Sequence, residues 1–330
     1  MNKRGVDSEL ASVIVVSLLL LGTCNGNVID KCGGLSYNYY DKACPQLQHI
    51  VRASLSSAFL LDPSSPPALL RLMFHDCQVQ GCDASILVDQ PTEMDSAKNF
   101  GIRKRELIGA VKAALELVCP KQVSCADVII LAAREAVALS GGPLIAVPLG
   151  RKDAVSTPGS HVADALLPPA TADVDSVLRL FGAKGMTVEE SVAIMGAHTL
   201  GVTHCNNAMQ RFNNTSKSAK DNIDPQFEKL IRLACPQSFP FSSKYTFILN
   251  DQTSTIFDTN YYENTIGGRG PLRVDTEMAT DPRTQPFVRA FAADPNLFLR
   301  SFSSAFVKLS CSNVLTGTRG NVRSVCHKVN

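Results

Sequence analysis

Apolar residues recur at helical spacing along most of the chain. In ELIGAVKAALELVC (106–119), Leu107, Ile108, Val111, Leu115 and Val118 share one face, the pattern of an amphipathic helix. SCADVIILAAREAVALSGGP (124–143) is apolar almost throughout. It opens with Ser124 and Asp127 at capping-box spacing and stops at Gly141, Gly142 and Pro143, which predicts a buried helix with defined ends. TVEESVAIMGAH opens in the same way with Thr187 and Glu190. DPQFEKLIRLAC (224–235) and DPNLFLRSFSSAFVKL (294–309) each begin with Asp-Pro, a favourable helix start. Only LIAVPLGRKDA (144–154) reads as short strand material. No internal repeat or low-complexity segment interrupts the pattern. The predicted class is mostly α, with minor short strands and long ordered loops.

The first 26 residues follow a different rule. Lys3 and Arg4 precede an apolar run from Ala11 to Gly22, and small residues Cys24 and Gly26 follow it. That is the layout of a secretory signal peptide, and the run is short for a membrane span. No later stretch is long and apolar enough to span. Setting Cys24 aside with the leader leaves ten of the 11 cysteines in residues 27–330. An even count behind a signal peptide predicts disulfides. Asn213 and Asn214 head two overlapping glycosylation sequons in NNTS. The net charge of +2 argues neither for nucleic acid nor for an acidic partner.

Three stretches carry candidate chemistry. In PALLRLMFHDC, Arg71 and His75 lie four apart, on one face of a helix. A neutral imidazole beside a fixed cation can take a proton while the guanidinium stabilises developing negative charge. By themselves the two also fit a surface arginine near a packed histidine. In DCQVQGCDAS, Asp76, Asp83 and Ser85 supply hard oxygens, with the Val79 and Gly81 carbonyls between them, a calcium-like set. Zinc held by His75, Cys77 and Cys82 is the rival, disfavoured where thiols are oxidised. In MGAHTLGVTHC, His198 stands where a capped helix runs out and Thr199 follows it. Later, NDQTSTIFD offers Asn250, Thr253 and Asp258, and RVDTEM offers Asp275. A metal-ligating imidazole usually passes its other N–H to a carboxylate or carbonyl.

RLMFHDC, GCDAS, CPKQVSCAD, VPLGRKD, GAHTLG and TIFDTNYY occur in one order and spacing. In these six blocks, from about Tyr40 to Cys326, the chain resembles the secreted plant haem peroxidases of class III. The resemblance implies a mostly α, two-lobed haem peroxidase fold over residues 27–330. The distal lobe would span roughly 36–165 with the C-terminal segment, and the proximal lobe roughly 166–300, with one haem b between them. It implies an enzyme that reduces hydrogen peroxide to water and oxidises small phenolic donors in one-electron steps. His75 resembles the distal acid/base and Arg71 its charge-stabilising partner, with Asn99 orienting His75, Glu93 supporting Asn99, and Phe74 packing against the haem. His198 resembles the axial ligand, with Asp275 accepting its other N–H. Asp76, Val79, Gly81, Asp83 and Ser85 resemble the distal calcium site. Thr199, Asn250, Thr253, Ile256 and Asp258 resemble the proximal one. Pro168 matches the proline of the aromatic-donor site.

The family's four bridges correspond to Cys44–Cys119, Cys77–Cys82, Cys125–Cys326 and Cys205–Cys235. Cys32 and Cys311 remain, and a fifth bridge between them is predicted. The resemblance also implies a secreted monomer of the apoplast and cell wall, or of the vacuole, with roles in lignin chemistry and oxidative stress. Alternatives are a catalytically weak haem-binding cell-wall protein and a haem-free secreted metal-binding module. Several positions depart from the family pattern. Gln78 and Gln80 replace Phe and Asn, and Ile145 stands where a tryptophan is usual, in a chain with none. Asn250 replaces a calcium-binding Asp, which predicts a weakened proximal site. DPSSPPALL (62–70) lacks the Arg and Ser that commonly hold a haem propionate.

Overall fold

The computed structural model describes residues 32–89, 92–213, 222–235 and 246–329. The leader lies outside them, as does Asn214 of the sequon, while Asn213 ends a helix. Helices dominate. In chain order the first four long ones are α1 (Leu47–Leu61), α2 (Ser65–Gln78), α3 (Arg105–Val118) and α4 (Cys125–Leu139). Then come α5 (Ser160–Leu166), α6 (Val174–Gly182), α7 (Val188–Met195), α8 (Cys205–Asn213) and α9 (Pro225–Ala234). The last four are α10 (Asn260–Ile266), α11 (Arg273–Glu277), α12 (Gln285–Ala293) and α13 (Pro295–Ser310). Among the described residues no helix is long and apolar enough to cross a membrane.

α4 is the centre of the packing. Its residues from Cys125 to Val137 are all buried, as expected of a helix apolar on every side. α2 lies along it, and α1 and α3 cover it from other directions. On α3, Ile108, Val111 and Leu115 face inward, but Val118 is half exposed because it falls in the last turn, beyond the covering helix. α13 packs on α7, and between α10 and α13 a run of aromatic rings fills the core. Phe257, Phe291, Phe298, Phe302 and Tyr262 meet there at centroid distances of 4.7–6.0 Å, a range in which edge-to-face pairs are favourable. Ile145 is buried, so an aliphatic chain fills the place of the missing tryptophan.

Caps follow the sequence with one change. Thr187 and Glu190 form the reciprocal box, and Asp224 and Asp294 cap α9 and α13 ahead of their prolines. Ser124 accepts from the Asp127 N–H, but the Asp127 carboxylate does not return to it. Its Oδ2 accepts from Tyr40 Oη at 2.8 Å and from the Gly150 and Arg151 amides, and its Oδ1 from Arg151 Nη1 at 2.8 Å. The fully buried Arg151 then donates to the Ser310 carbonyl at the end of α13. One carboxylate thereby ties three segments together.

The strand expected over 144–154 is absent. Its amides bond to scattered partners: Leu149 pairs with Ser36, Gly150 and Arg151 donate to Asp127, Lys152 donates to Leu315, Asp153 pairs with Asn321, and Ala154 donates to Asp83. Isolated bridges result, not a ladder. The sheet among the described residues is one antiparallel pair, β1 (Val202–His204) and β2 (Phe247–Leu249), with Thr203 opposite Ile248.

Five disulfides close the loops. Cys44–Cys119, Cys77–Cys82, Cys125–Cys326 and Cys205–Cys235 are joined by Cys32–Cys311, which spans 279 residues. The Cys77 and Cys82 sulfurs are therefore spent on each other, which removes the zinc reading. Because the other bridges already connect the neighbourhood, the Cys32–Cys311 ring closes through only about 33 residues, corresponding to roughly 3–4 kcal/mol in the chain-entropy model. The double variant Cys32→Ser/Cys311→Ser should lose about that much in denaturant unfolding, with faster amide exchange confined to the segment around Leu35. An unchanged unfolding midpoint would show that the bridge constrains nothing.

Candidate active site

A cavity of about 460 Å³ opens between α2 and the turn that follows α7. His75 and Arg71 of α2 line one side, and His198, in the 3₁₀ turn Gly196–Thr199, lines it too. Leu70, Met73, Phe74, Phe181, Ile194, Leu200 and Val274 supply apolar wall. Pro168 stands among the lining residues.

Pro66 and Pro67 begin α2, and four residues separate Arg71 from His75 on one face. Arg71 Nε donates to His75 Nε2 at 3.1 Å, and its other nitrogens donate to the Phe100 and Lys98 carbonyls. On the far side of the ring, His75 Nδ1 meets Asn99 Oδ1 at 2.6 Å. Asn99 Nδ2 donates to the Glu93 carbonyl at 2.7 Å, which fixes the amide so that its oxygen faces the imidazole. An oxygen there accepts only from an N–H, so the proton is on Nδ1 and the lone pair is on Nε2, where it accepts from Arg71 at the cavity wall. Burial, and then the Arg71 charge, hold the His75 pKa well below its usual value, so the ring is a neutral base. Arg71 itself is pushed down to about 10 by burial and by the nearby Arg103 charge. Glu93 thus supports Asn99 through its backbone, leaving its carboxylate for another task.

That task lies in the loop after α2. Asp76 Oδ2 accepts from the Ala84 amide, Asp83 Oδ1 from the Ser85 amide, and Glu93 Oε1 from Ser85 Oγ. Asp76 Oδ1 and Glu93 Oε2 are buried with no protein partner. All three acids have raised pKa values, from burial first; each also feels at least one neighbouring carboxylate, and Glu93 reaches about 8. Buried carboxylates with spare lone pairs call for a cation. Val79 and Gly81 contribute carbonyls only. Gly81 has φ +135°, and a β-carbon there would lie 2.5 Å from the Asn313 carbonyl oxygen, so no other residue fits. Gln80 takes φ +69°, and Gln78 Nε2 donates to the Leu166 carbonyl, tying α2 to α5.

On the opposite side, His198 Nδ1 lies 2.9 Å from Asp275 Oδ1, leaving Nε2 for the cavity. Asp275 also accepts from Tyr261 Oη at 2.9 Å and from the Leu272 amide. Tyr261 stands edge-on to His198 at 5.8 Å. Its contribution was not apparent from sequence, although the TNYY stretch contained it.

Beside His198, Thr199 Oγ1 has Asp251 Oδ2 at 2.7 Å and Asp258 Oδ1 at 3.1 Å. A hydroxyl has one proton, so it cannot satisfy two carboxylates. Asp251 is raised in pKa by burial and, secondarily, by Asp258. Thr253 Oγ1 adjoins Asp251 at 3.3 Å, and Ile256 offers its backbone, since its side chain is half exposed. Asn250 is not part of this cluster. Its Oδ1 accepts from Thr203 and its Nδ2 donates to the Leu200 carbonyl. The acid has moved one residue along the chain, to Asp251.

The site's chemistry fits a flat, mostly apolar macrocycle with a metal at its centre: apolar walls, His198 Nε2 facing the cavity on one side, His75 Nε2 held by Arg71 on the other, and a cationic mouth. Comparison with known proteins agrees. The peroxidase family profile, "Peroxidase", matches residues 51–294. The chain is 62% identical to Peroxidase 29 of Arabidopsis thaliana, over 99% of each protein. It is 38% identical to Peroxidase 28 of the same plant, over 90% of this chain and 93% of that one. The chain belongs to the class III plant peroxidases, secreted enzymes that use one haem and two calcium ions to reduce hydrogen peroxide.

Proposed function

We propose that Arg71, His75 and Asn99 are the peroxide-cleaving set, that His198 Nε2 would hold the haem iron, and that phenolic donors enter past Pro168. The haem would lie between a distal lobe of roughly 36–165 with the C-terminal segment and a proximal lobe of roughly 166–300. Bound there, it supplies the redox-active iron. The protein supplies the proton movements. His75 Nε2 takes the proton of the incoming peroxide and returns it to the oxygen that leaves as water. Asn99 keeps the other ring proton in place during this exchange, so the base is always Nε2. Arg71 stabilises the negative charge that builds as the O–O bond breaks. Asp275 holds the His198 N–H and makes the ligating nitrogen more electron-rich. The Tyr261 hydroxyl shares the same carboxylate oxygen and moderates that effect.

The observation that carries this reading is the oriented chain Glu93 C=O, Asn99, His75, Arg71. A haem-binding protein without turnover has no need of a fixed tautomer. We assign the distal calcium to Asp76, Val79, Gly81, Asp83 and Ser85, and the proximal one to Thr199, Asp251, Thr253, Ile256 and Asp258. The five disulfides fit action in the oxidising apoplast, and the catalytic set is complete within one chain, as a monomer requires.

His75→Ala should slow the reaction with peroxide by roughly 10²–10⁴, followed by stopped flow as the Soret change on mixing. A rate near that of the parent protein would remove His75 from the mechanism. Asp251→Asn should release the proximal calcium at a chelator concentration on the order of tenfold lower, because hard cations respond to ligand charge. Asn250→Asp should not tighten it, since a carboxylate there would face the Leu200 carbonyl. Calcium counted by atomic absorption after graded chelation distinguishes the two, and tightening by Asn250→Asp would restore position 250 as the ligand.

A further inference from the structure

The cavity mouth beside Pro168 is organised around one cation. α5 is short, and its last carbonyls have no partner within the helix. Lys98 Nζ donates to the Asp164 and Leu167 carbonyls at 2.5 Å each, and Gln78 Nε2 donates to the Leu166 carbonyl at 2.9 Å. Ser96 Oγ completes the attachment by donating to the Asp164 carboxylate at 2.5 Å. The Leu167 carbonyl is joined directly to the Pro168 nitrogen, so the ammonium is fixed beside that proline.

A lysine at a helix C-terminus can be a capping contact and nothing more. Two observations give Lys98 a further role. It lines the cavity together with Ala97, Pro168, Pro169 and Ala170, whose short apolar side chains cannot neutralise it. An ammonium also has three protons, and the two carbonyls take only two of them. The acids of the two segments are committed, Asp164 to Ser96 and Asp95 Oδ2 to the Thr92 amide. None of the described residues lining the cavity is an aspartate or glutamate. Lys98 is therefore hydrogen-bonded but not neutralised. A fixed cation beside an apolar ledge complements a ligand with a flat ring and an anionic tail.

We propose that Lys98 is a specificity-determining residue that selects phenolic donors carrying a carboxylate over neutral phenols of the same shape. The proposal rests on the reading that donors enter past Pro168, and the test separates the two. The haem-loaded full chain is titrated at equilibrium, without peroxide, with 4-hydroxycinnamate or with its methyl ester, which has the same ring and no charge. Binding is followed as the Soret difference spectrum. The readout is the ratio of the two Kd values, ester over acid, because loosening of the α5 segment would affect both donors and cancel. In the parent protein the ratio should be roughly 3- to 5-fold, the value of one part-exposed ion pair. Lys98→Met should bring it close to one, and Lys98→Arg should keep it. Raising the salt to about 1 M, where screening acts within about 3 Å, should compress the parent ratio with no substitution at all. A ratio that Lys98→Met leaves unchanged would move the preference to Arg71 or Arg103 and overturn the assignment. A parent ratio of one, or one that salt does not alter, would overturn the charge selection while leaving the entry past Pro168 intact. Failure of the parent protein to bind either donor would overturn both.

Discussion

Three carboxylates, Asp76, Asp83 and Glu93, are buried in one loop, and two of their oxygens have no partner in the protein. Asp76 follows His75 directly on α2, and Glu93 holds Asn99 through its carbonyl. Both neighbours of the catalytic imidazole are therefore anchored to this one cluster. Left alone, its repulsion and desolvation favour protonated acids or an opened loop. A divalent cation reverses that balance and makes the loop a rigid support. The Cys77–Cys82 bridge and Gly81 hold the turn short enough for the carbonyls to join it. The orientation of His75 thus depends on how the charge of a cluster that never touches its ring is balanced.

The second imidazole is placed by different means. His198 sits in a 3₁₀ turn, and its partner Asp275 comes from α11, 77 residues away. Tyr261 and Tyr262 link that pair to the aromatic core, where Tyr262 donates to the carbonyls at the end of α7. The carboxylate cluster around Thr199 then fixes the turn from its other end. Distal and proximal sides share one logic, a histidine braced by a carboxylate cluster next to it in sequence, but they reach it with unrelated segments.

Much of this was legible beforehand, and the limits are physical. Periodicity found α3, α4, α7, α9 and α13, because each has an apolar face that only burial explains. It failed at 144–154, a short apolar run ending in polar residues that reads as strand material. There the amides bond to scattered loops, which a sequence pattern does not show. Val118 has the right spacing but lies past the end of the covering helix. The motif blocks contained Arg71, His75 and His198, and the resemblance they carry pointed to Asn99 and Asp275. They could not show that Glu93 acts through its backbone, since a sequence displays side chains. Nor could they show Tyr261 behind Asp275, a contact made only by tertiary packing.

The departure at position 250 has a local resolution. A calcium ion needs a carboxylate oxygen at one point in space, and the residue number that supplies it is immaterial. With Asn250 bonded to Thr203 and Leu200, the chain turns so that Asp251 arrives at Thr199 instead. Electrostatic demand falls off with distance and ignores sequence position. A substitution at a ligand position therefore removes a site only when no neighbouring segment can bring an equivalent charge to the same place. Here the turn at 250–253 lets Asp251 arrive where Asn250 does not.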